Sequence, residues 1–68
     1  MQKMTLKMLR VRANLSQEEA AKKLDISPST LSKWEHGKSF PDVPNISKIE
    51  ELYDTTYSNI IFLSNNTV

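Results

Sequence analysis

The sequence contains no cysteine and a single glycine, Gly37, in 68 residues. Without cysteine, no disulfide or thiolate metal site can stabilise the chain. No apolar run is long enough to cross a bilayer, and the first residues lack the apolar stretch of a secretory signal. A chain of this length forms one domain with a small interior. These absences predict a soluble cytoplasmic protein, a single domain over 1–68, with no metal or cofactor and no small-molecule ligand.

The charge is unevenly distributed along the chain. Residues 1–38 carry eight Lys and Arg against four acids, a balance of +4, whereas residues 39–68 carry one lysine against four acids, a balance of −3. Such a dipolar molecule suits an anionic partner on its basic side. An uneven but ordinary solvated surface would give the same numbers, so charge alone leaves both interpretations open.

The hydrophobic pattern predicts helices throughout. No segment alternates with a two-residue period, so strands are not expected. Proline, glycine and asparagine separate apolar stripes with helical spacing. We therefore predict an all-α fold with a core at 4–63, a tail at 64–68 and five short helices: 4–13, 17–24, 28 to about 36, a fourth between Asp42 and Thr55, and 57–63.

Local signals mark where these helices begin and end. Ser16 and Glu19 have the spacing of a capping box, in which each side chain bonds the other's backbone amide. Ser27 followed by Pro28 is a typical helix start, because proline at the first helical position loses no hydrogen bond. Gly37 is placed to end the third helix. The helices ending at 24 and starting at 28 are thus joined by a tight turn, as in a helix-turn-helix over 16–36.

The inward faces follow from the same periodicity. Trp34 lies in register with Leu31, so we expect it to be in the core and not to stack on a nucleotide base. The predicted core positions are Leu6, Leu9, Ala13, Ala20, Ala21, Leu24, Leu31, Trp34, Ile46, Ile49, Leu52 and Tyr53.

At this point the sequence resembles the lambda-repressor-like family, the Cro/C1 type of helix-turn-helix. The specific element is Ser16-Gln17-Glu18-Glu19 followed by a second run that begins eleven residues after Ser16. That run reads Ser27-x-Ser29-Thr30-Leu31-Ser32-Lys33-Trp34-Glu35-x-Gly37-Lys38. The resemblance extends without a gap over residues 4–63. It implies a compact five-helix domain whose third helix enters the major groove of DNA.

The resemblance also implies roles for individual residues. Gln17 matches a glutamine that binds a DNA phosphate, and a helix amino terminus favours such a contact. Lys33 donates to a guanine or to a phosphate, and the sequence does not separate the two. His36 is either a phosphate contact or simply exposed. The implied base contacts are Ser27, Pro28, Ser29, Ser32 and Lys33, and the implied phosphate contacts are Gln17, Thr30, His36, Lys38 and Ser39.

Two structural expectations accompany the resemblance. Arg10 and Glu35 match a partly buried ion pair between the first and third helices, which would set helix orientation more than it adds stability. Asp25 replaces the usual turn glycine and has to adopt a left-handed conformation at some cost.

The apolar run near the end of the chain is longer than one face of a short helix can bury. We expect a homodimer interface there, with local core as the alternative. The interface candidates are Tyr57, Ile60, Ile61, Phe62 and Leu63.

Function is predicted on this basis. The favoured hypothesis is a sequence-specific transcriptional regulator, of the phage or mobile-element repressor type, that binds a palindromic operator in double-stranded DNA as a dimer. The alternative is a protein-binding module of the same fold, such as an antitoxin. An enzyme is not expected, because the sequence has no catalytic triad, metal-ligand spacing or phosphate loop.

Overall fold

A computed structural model describes residues 3–63. Four α-helices follow one another along the chain, with a short strand at either end of the series. The elements are β1 (Met4–Thr5), α1 (Leu6–Arg12), α2 (Gln17–Leu24), α3 (Pro28–Glu35), α4 (Val43–Tyr53), a 3₁₀ turn (Tyr57–Asn59) and β2 (Ile60–Ile61).

The two strands correct the all-helical prediction. β1 and β2 pair in parallel, with Met4 opposite Ile60 and Thr5 opposite Ile61. The expected fifth helix over 57–63 is therefore a 3₁₀ turn followed by a strand, so residues 3–63 form four α-helices instead of the predicted five. Strands of two residues are too short to show a period, and a short apolar run fits a strand as well as a buried helix. Their pairing depends on contacts between the two ends of the domain.

Side-chain caps set the helix starts. Ser16 Oγ accepts from the Glu19 amide at 3.0 Å, and Glu19 Oε1 accepts from the Ser16 amide at 2.9 Å, so the predicted capping box is confirmed. The hydrogen bond from the Ser16 amide, followed by a smaller effect of the Ser16 hydroxyl, lowers the pKa of the Glu19 carboxyl. Ser27 caps α3 as predicted, and Asp42 caps α4, which lies within the predicted bounds of the fourth helix. Thr5 caps α1, so that helix begins at Leu6 and not at Met4.

Residues with positive φ end the helices. Asn14 and Gly37 have φ values of 61° and 74° and follow α1 and α3, which for Gly37 is the predicted role. Asp25 has φ 59°, so the turn between α2 and α3 does require the left-handed conformation that the family resemblance implied. Asp54, with φ 51°, ends α4 just before the two threonines.

The core lies where α1, α2, α3 and α4 meet. Ala20 and Ala21 are fully buried, and their small side chains let the neighbouring helices approach α2 closely. Ala13, predicted to face inward, is exposed because α1 has already ended at Arg12. Ile46 and Leu52 are only half-buried. The buried core is formed by Leu6, Leu9, Ala20, Ala21, Leu24, Leu31, Trp34, Ile49, Tyr53 and Ile60.

Within residues 3–63, every helix is too short or too polar to cross a membrane.

Candidate nucleic-acid interface

The outer face of α3 is available to a partner. Pro28, Ser29 and Lys33 are exposed and Ser32 is half-buried, whereas Leu31 on the inner face is 1% exposed. Because the inner face is anchored in the core, the outer face is presented on a rigid helix. Four of the five predicted base-contacting side chains thus lie on one face of α3 that is exposed or half-exposed within residues 3–63.

The fifth predicted base contact, Ser27, has a structural role at the start of α3. Its Oγ accepts from the Thr30 amide at 3.1 Å and lies 2.9 Å from Thr30 Oγ1. The two hydroxyls therefore hydrogen-bond to each other, and the Ser27 hydroxyl also caps the first turn of α3. Contact of either side chain with DNA would have to share a hydroxyl that already makes these bonds.

An ion pair connects α3 to α1. Arg10 Nε donates to Glu35 Oε2 at 2.8 Å, and Arg10 Nη2 donates to Glu35 Oε1 at 3.3 Å. The two side chains are 13% and 2% exposed. Arg10 Nη1 also donates to the Leu15 carbonyl at 3.0 Å, so the guanidinium supports the loop before α2.

Gln17 joins this network from the first position of α2. Its Nε2 donates to Glu35 Oε1 at 3.1 Å, a contact that the sequence did not reveal. The Glu35 carboxylate at the end of α3 thus accepts hydrogen bonds from both α1 and α2. The amide of Gln17 keeps a second N–H for another acceptor, because its nitrogen carries two hydrogens.

Tyr53 on α4 lies near the same ion pair, and its hydroxyl has no hydrogen-bond partner within residues 3–63. Burial is the main reason that the pKa of the Tyr53 phenol is raised to about 12. The Glu35 carboxylate raises it further, and Arg10 opposes that effect. No hydrogen bond from residues 3–63 therefore offsets the cost of burying this polar group.

The substitution Tyr53→Phe should therefore stabilise the domain by about 1 kcal/mol at neutral pH, since an unsatisfied buried group costs about 1–3 kcal/mol. The phenol pKa is higher in the folded state than the ordinary value of 10.0, so the neutral form is favoured by folding. The stability that comes from this pKa difference is fully present in the wild-type domain below pH 10. It is lost as pH rises from 10 towards 12, because the unfolded state ionises first.

Urea unfolding of both proteins at pH 7 and above pH 10 measures these effects, with Tyr57→Phe as the control at a half-exposed tyrosine. The stability advantage of Tyr53→Phe should widen above pH 10. A loss of stability in Tyr53→Phe at pH 7 would show that the hydroxyl makes a favourable bond.

The end of α3 carries the remaining predicted phosphate contacts. His36 Nδ1 donates to the Ser32 carbonyl at 2.7 Å, since a carbonyl oxygen only accepts. The Lys38 and Ser39 amides both lie within hydrogen-bond distance of the Lys33 carbonyl, at 2.8 and 3.4 Å. The side chains of His36, Lys38 and Ser39 are exposed beside the outer face of α3.

The predicted dimer-interface residues do not form one surface. Ile60 is 7% exposed and belongs to the core of its own chain, so its assignment to an interface is corrected. Its neighbour Ile61 points away and is 41% exposed, because side chains alternate along a strand. Leu63 lies beside Gln17 and His36.

The other two candidates belong to an aromatic cluster, which we define as Phe40, Tyr57 and Phe62. The Phe62 ring lies 5.1 Å from that of Phe40 and 5.5 Å from that of Tyr57, measured between centroids. Phe40 and Tyr57 are 59% and 52% exposed. Phe40 was not expected at a surface of this kind, although an aromatic residue in a polar loop was a usable signal in the sequence.

Within residues 3–63, no three His, Asp or Glu side chains come together in a way that could hold a metal ion.

Two helices joined by a tight turn, the second anchored by its inner face and exposed on its outer face, define a helix-turn-helix domain. A helix-turn-helix family profile matches residues 6–60. The chain belongs to that family and is of its Cro/C1 type, which confirms the resemblance seen in the sequence.

A named relative agrees with this assignment. The chain is 34% identical over 56 residues to the HTH-type transcriptional activator BcrR of Enterococcus faecalis. The alignment covers 82% of the chain and 28% of the relative, so the chain spans less than a third of that protein's length.

Proposed function

We propose that this protein is a transcription regulator that binds a specific sequence of double-stranded DNA by inserting α3 into the major groove. The observation that carries the proposal is the exposed outer face of α3, held on a core-anchored helix of a helix-turn-helix domain. A rigid helix of this kind is the common reader of the major groove. The relative's name as a transcriptional activator supports a regulatory role.

Base contacts in this proposal come from Pro28, Ser29, Ser32 and Lys33. Lys33 supplies the strongest of them, as a donor to the acceptors of guanine, and the serines accept or donate to several bases. Pro28 offers an apolar contact to a thymine methyl group. Since this face has few strong hydrogen-bonding groups, the shape of the DNA contributes to specificity. The phosphate contacts are Gln17, Thr30, His36, Lys38 and Ser39.

We further propose that two copies bind a palindromic operator and associate through the aromatic cluster. Partly exposed aromatic side chains in contact with one another are typical of surfaces that a partner covers. Tyr57 of the cluster also lines a groove together with Ile46 and Val43 of α4, and Val43 is 75% exposed. A two-fold arrangement would place the recognition helices about 34 Å apart, one turn of DNA.

Replacing Phe40 and Tyr57 together with glutamine should weaken binding to a two-half-site operator about tenfold or more, equivalent to about 1.4 kcal/mol. Binding to an isolated half-site should not change, because the cluster lies outside α3. Gel shifts on both DNAs measure the two affinities. Val11→Gln is the control, since Val11 is 61% exposed on α1, outside the cluster. Equal weakening on the full site and the half-site would rule out this dimer surface.

Repression is the proposed sign of regulation, because a protein that occupies promoter DNA excludes polymerase without needing further contacts. The relative is an activator by name. A promoter–reporter assay with the protein present and absent distinguishes the two signs directly.

The test of the central proposal is selection of bound sequences from random double-stranded DNA. Enrichment of two inverted half-sites with centres about ten base pairs apart is the expected result. The substitution Lys33→Ala should relax the selected sequence at one position in each half-site. If wild-type protein enriches no sequence at moderate salt, sequence-specific regulation is rejected.

A further inference from the structure

A cavity of about 320 Å³ opens beside α3, between the amino-terminal ends of α1 and α2. Its walls include Thr5, Lys7, Gln17, His36 and Leu63, and the Arg10–Glu35 pair also lines it. The volume is several times that of one water molecule, so it can receive a phosphodiester group. Two of its walls, Gln17 and His36, are phosphate contacts in the function proposed above.

The electrostatic balance of this cavity is positive. The Glu35 carboxylate is neutralised by Arg10, at 2.8 Å, and receives a further hydrogen bond from Gln17. Lys7 is exposed and makes no ion pair within residues 3–63. Its ammonium group is therefore the uncompensated charge among the residues that line the cavity.

The other polar walls have hydrogens to donate. Thr5 Oγ1 accepts from the Met8 amide at 3.2 Å, which leaves its own hydroxyl hydrogen available. Gln17 Nε2 keeps one N–H after donating to Glu35. A cavity with an unpaired cation and several donors selects an anion with several oxygens, and DNA supplies that anion as its backbone phosphate.

We propose that Lys7 binds the same DNA phosphate as Gln17, so that α1 forms part of the DNA interface. The assignment rests on the proposed function, because it takes α3 to lie in the major groove with this cavity facing the backbone. Lys7 then adds affinity without adding sequence preference, since a phosphate contact is the same at every base pair.

The experiment measures the dependence of DNA affinity on salt for wild type, Lys7→Gln, Lys7→Arg and Lys48→Gln. Lys48 is the matched control, an exposed lysine on α4 close to Glu51 and Asp54. Lys7→Gln should reduce the slope of log affinity against log salt by about 0.9, the value for one phosphate. Affinity should fall by the same factor on selected and random DNA, and Lys7→Arg should retain the wild-type slope.

A double-mutant cycle with Gln17→Ala tests whether the phosphate is shared. Two contacts to one phosphate are coupled, so Lys7→Gln should cost less in the Gln17→Ala background than in wild type. An unchanged slope for Lys7→Gln, or the same loss in Lys48→Gln, overturns the assignment of Lys7. Additive effects overturn the shared phosphate.

The salt slope can be measured on random DNA, so it does not depend on sequence specificity. If the wild-type protein enriches no sequence but Lys7→Gln has a smaller salt slope, specific regulation is rejected and the phosphate contact of Lys7 is supported. If the wild-type protein enriches a sequence but Lys7→Gln keeps the wild-type salt slope, specific regulation is supported and the phosphate contact of Lys7 is rejected.

Discussion

Replacing Arg10 with methionine should cost the domain about 3–5 kcal/mol of unfolding free energy, the usual effect of leaving one member of a buried ion pair alone. Glu35 is 2% exposed at its side chain and would lose its charged partner. The Leu15 carbonyl would lose a hydrogen bond as well. Since stability is about 0.05–0.15 kcal/mol per residue, or about 3–10 kcal/mol for 68 residues, this loss would remove a third or more of the free energy of unfolding.

Urea unfolding followed by the fluorescence of Trp34 measures this loss, because the single tryptophan is 6% exposed in the core. Lys22→Met is the matched control, as it removes a basic group from an exposed position on α2 and should change stability by less than about 0.5 kcal/mol.

The double variant Arg10→Met with Glu35→Leu should recover most of the lost stability, since apolar pairs often replace buried ion pairs without loss. If Arg10→Met were as stable as Lys22→Met, the ion pair would have no role in holding α1 against α3.

Shortening Leu31 to alanine is the second change with a large expected effect. Leu31 is 1% exposed on the inner face of α3, and leucine-to-alanine substitutions in cores cost about 2–5 kcal/mol. DNA binding should fall because less of the protein is folded, although Leu31 does not lie on the outer face of α3.

Lys33→Ala on the same helix provides the contrast. Lys33 is exposed, so its loss should leave stability within about 0.5 kcal/mol of wild type. The free energy of binding to a selected site should nevertheless become weaker by about 1–3 kcal/mol if Lys33 binds a guanine. Thermal unfolding and gel shifts on the three proteins separate the two effects. Normal stability in Leu31→Ala would show that α3 is not anchored through this residue.

Both predictions depend on residues whose positions the sequence revealed to different extents. Leu31 was placed in the core from its spacing alone, and Arg10 with Glu35 was expected as a pair from the family resemblance. The hydrogen bond from Gln17 to Glu35 was not expected, because 18 residues separate them and no local pattern reports such a contact. The absence of a hydrogen-bond partner within residues 3–63 for the buried Tyr53 hydroxyl could not be predicted either, because it too depends on distant segments.

The run from Ile60 to Leu63 shows most clearly where local reasoning ends. Its apolar character indicated burial, but four consecutive apolar residues fit a helix, a strand or an interface. In the structure one residue enters the core, the next is exposed on β2, and Phe62 joins Phe40 and Tyr57. The parallel pairing with β1 decides this distribution, and that pairing joins residues 56 positions apart.

The sequence by itself determined the starts and ends of α2 and α3 and the inward faces of these helices. Capping side chains and helical periodicity act within a few residues, so their outcome can be derived locally. Only the tertiary structure decided the two-stranded sheet, the convergence of Arg10 and Gln17 on Glu35, and the position of Lys7 beside Gln17. These features arise from packing between distant segments, where burial and charge compensation outweigh local preference.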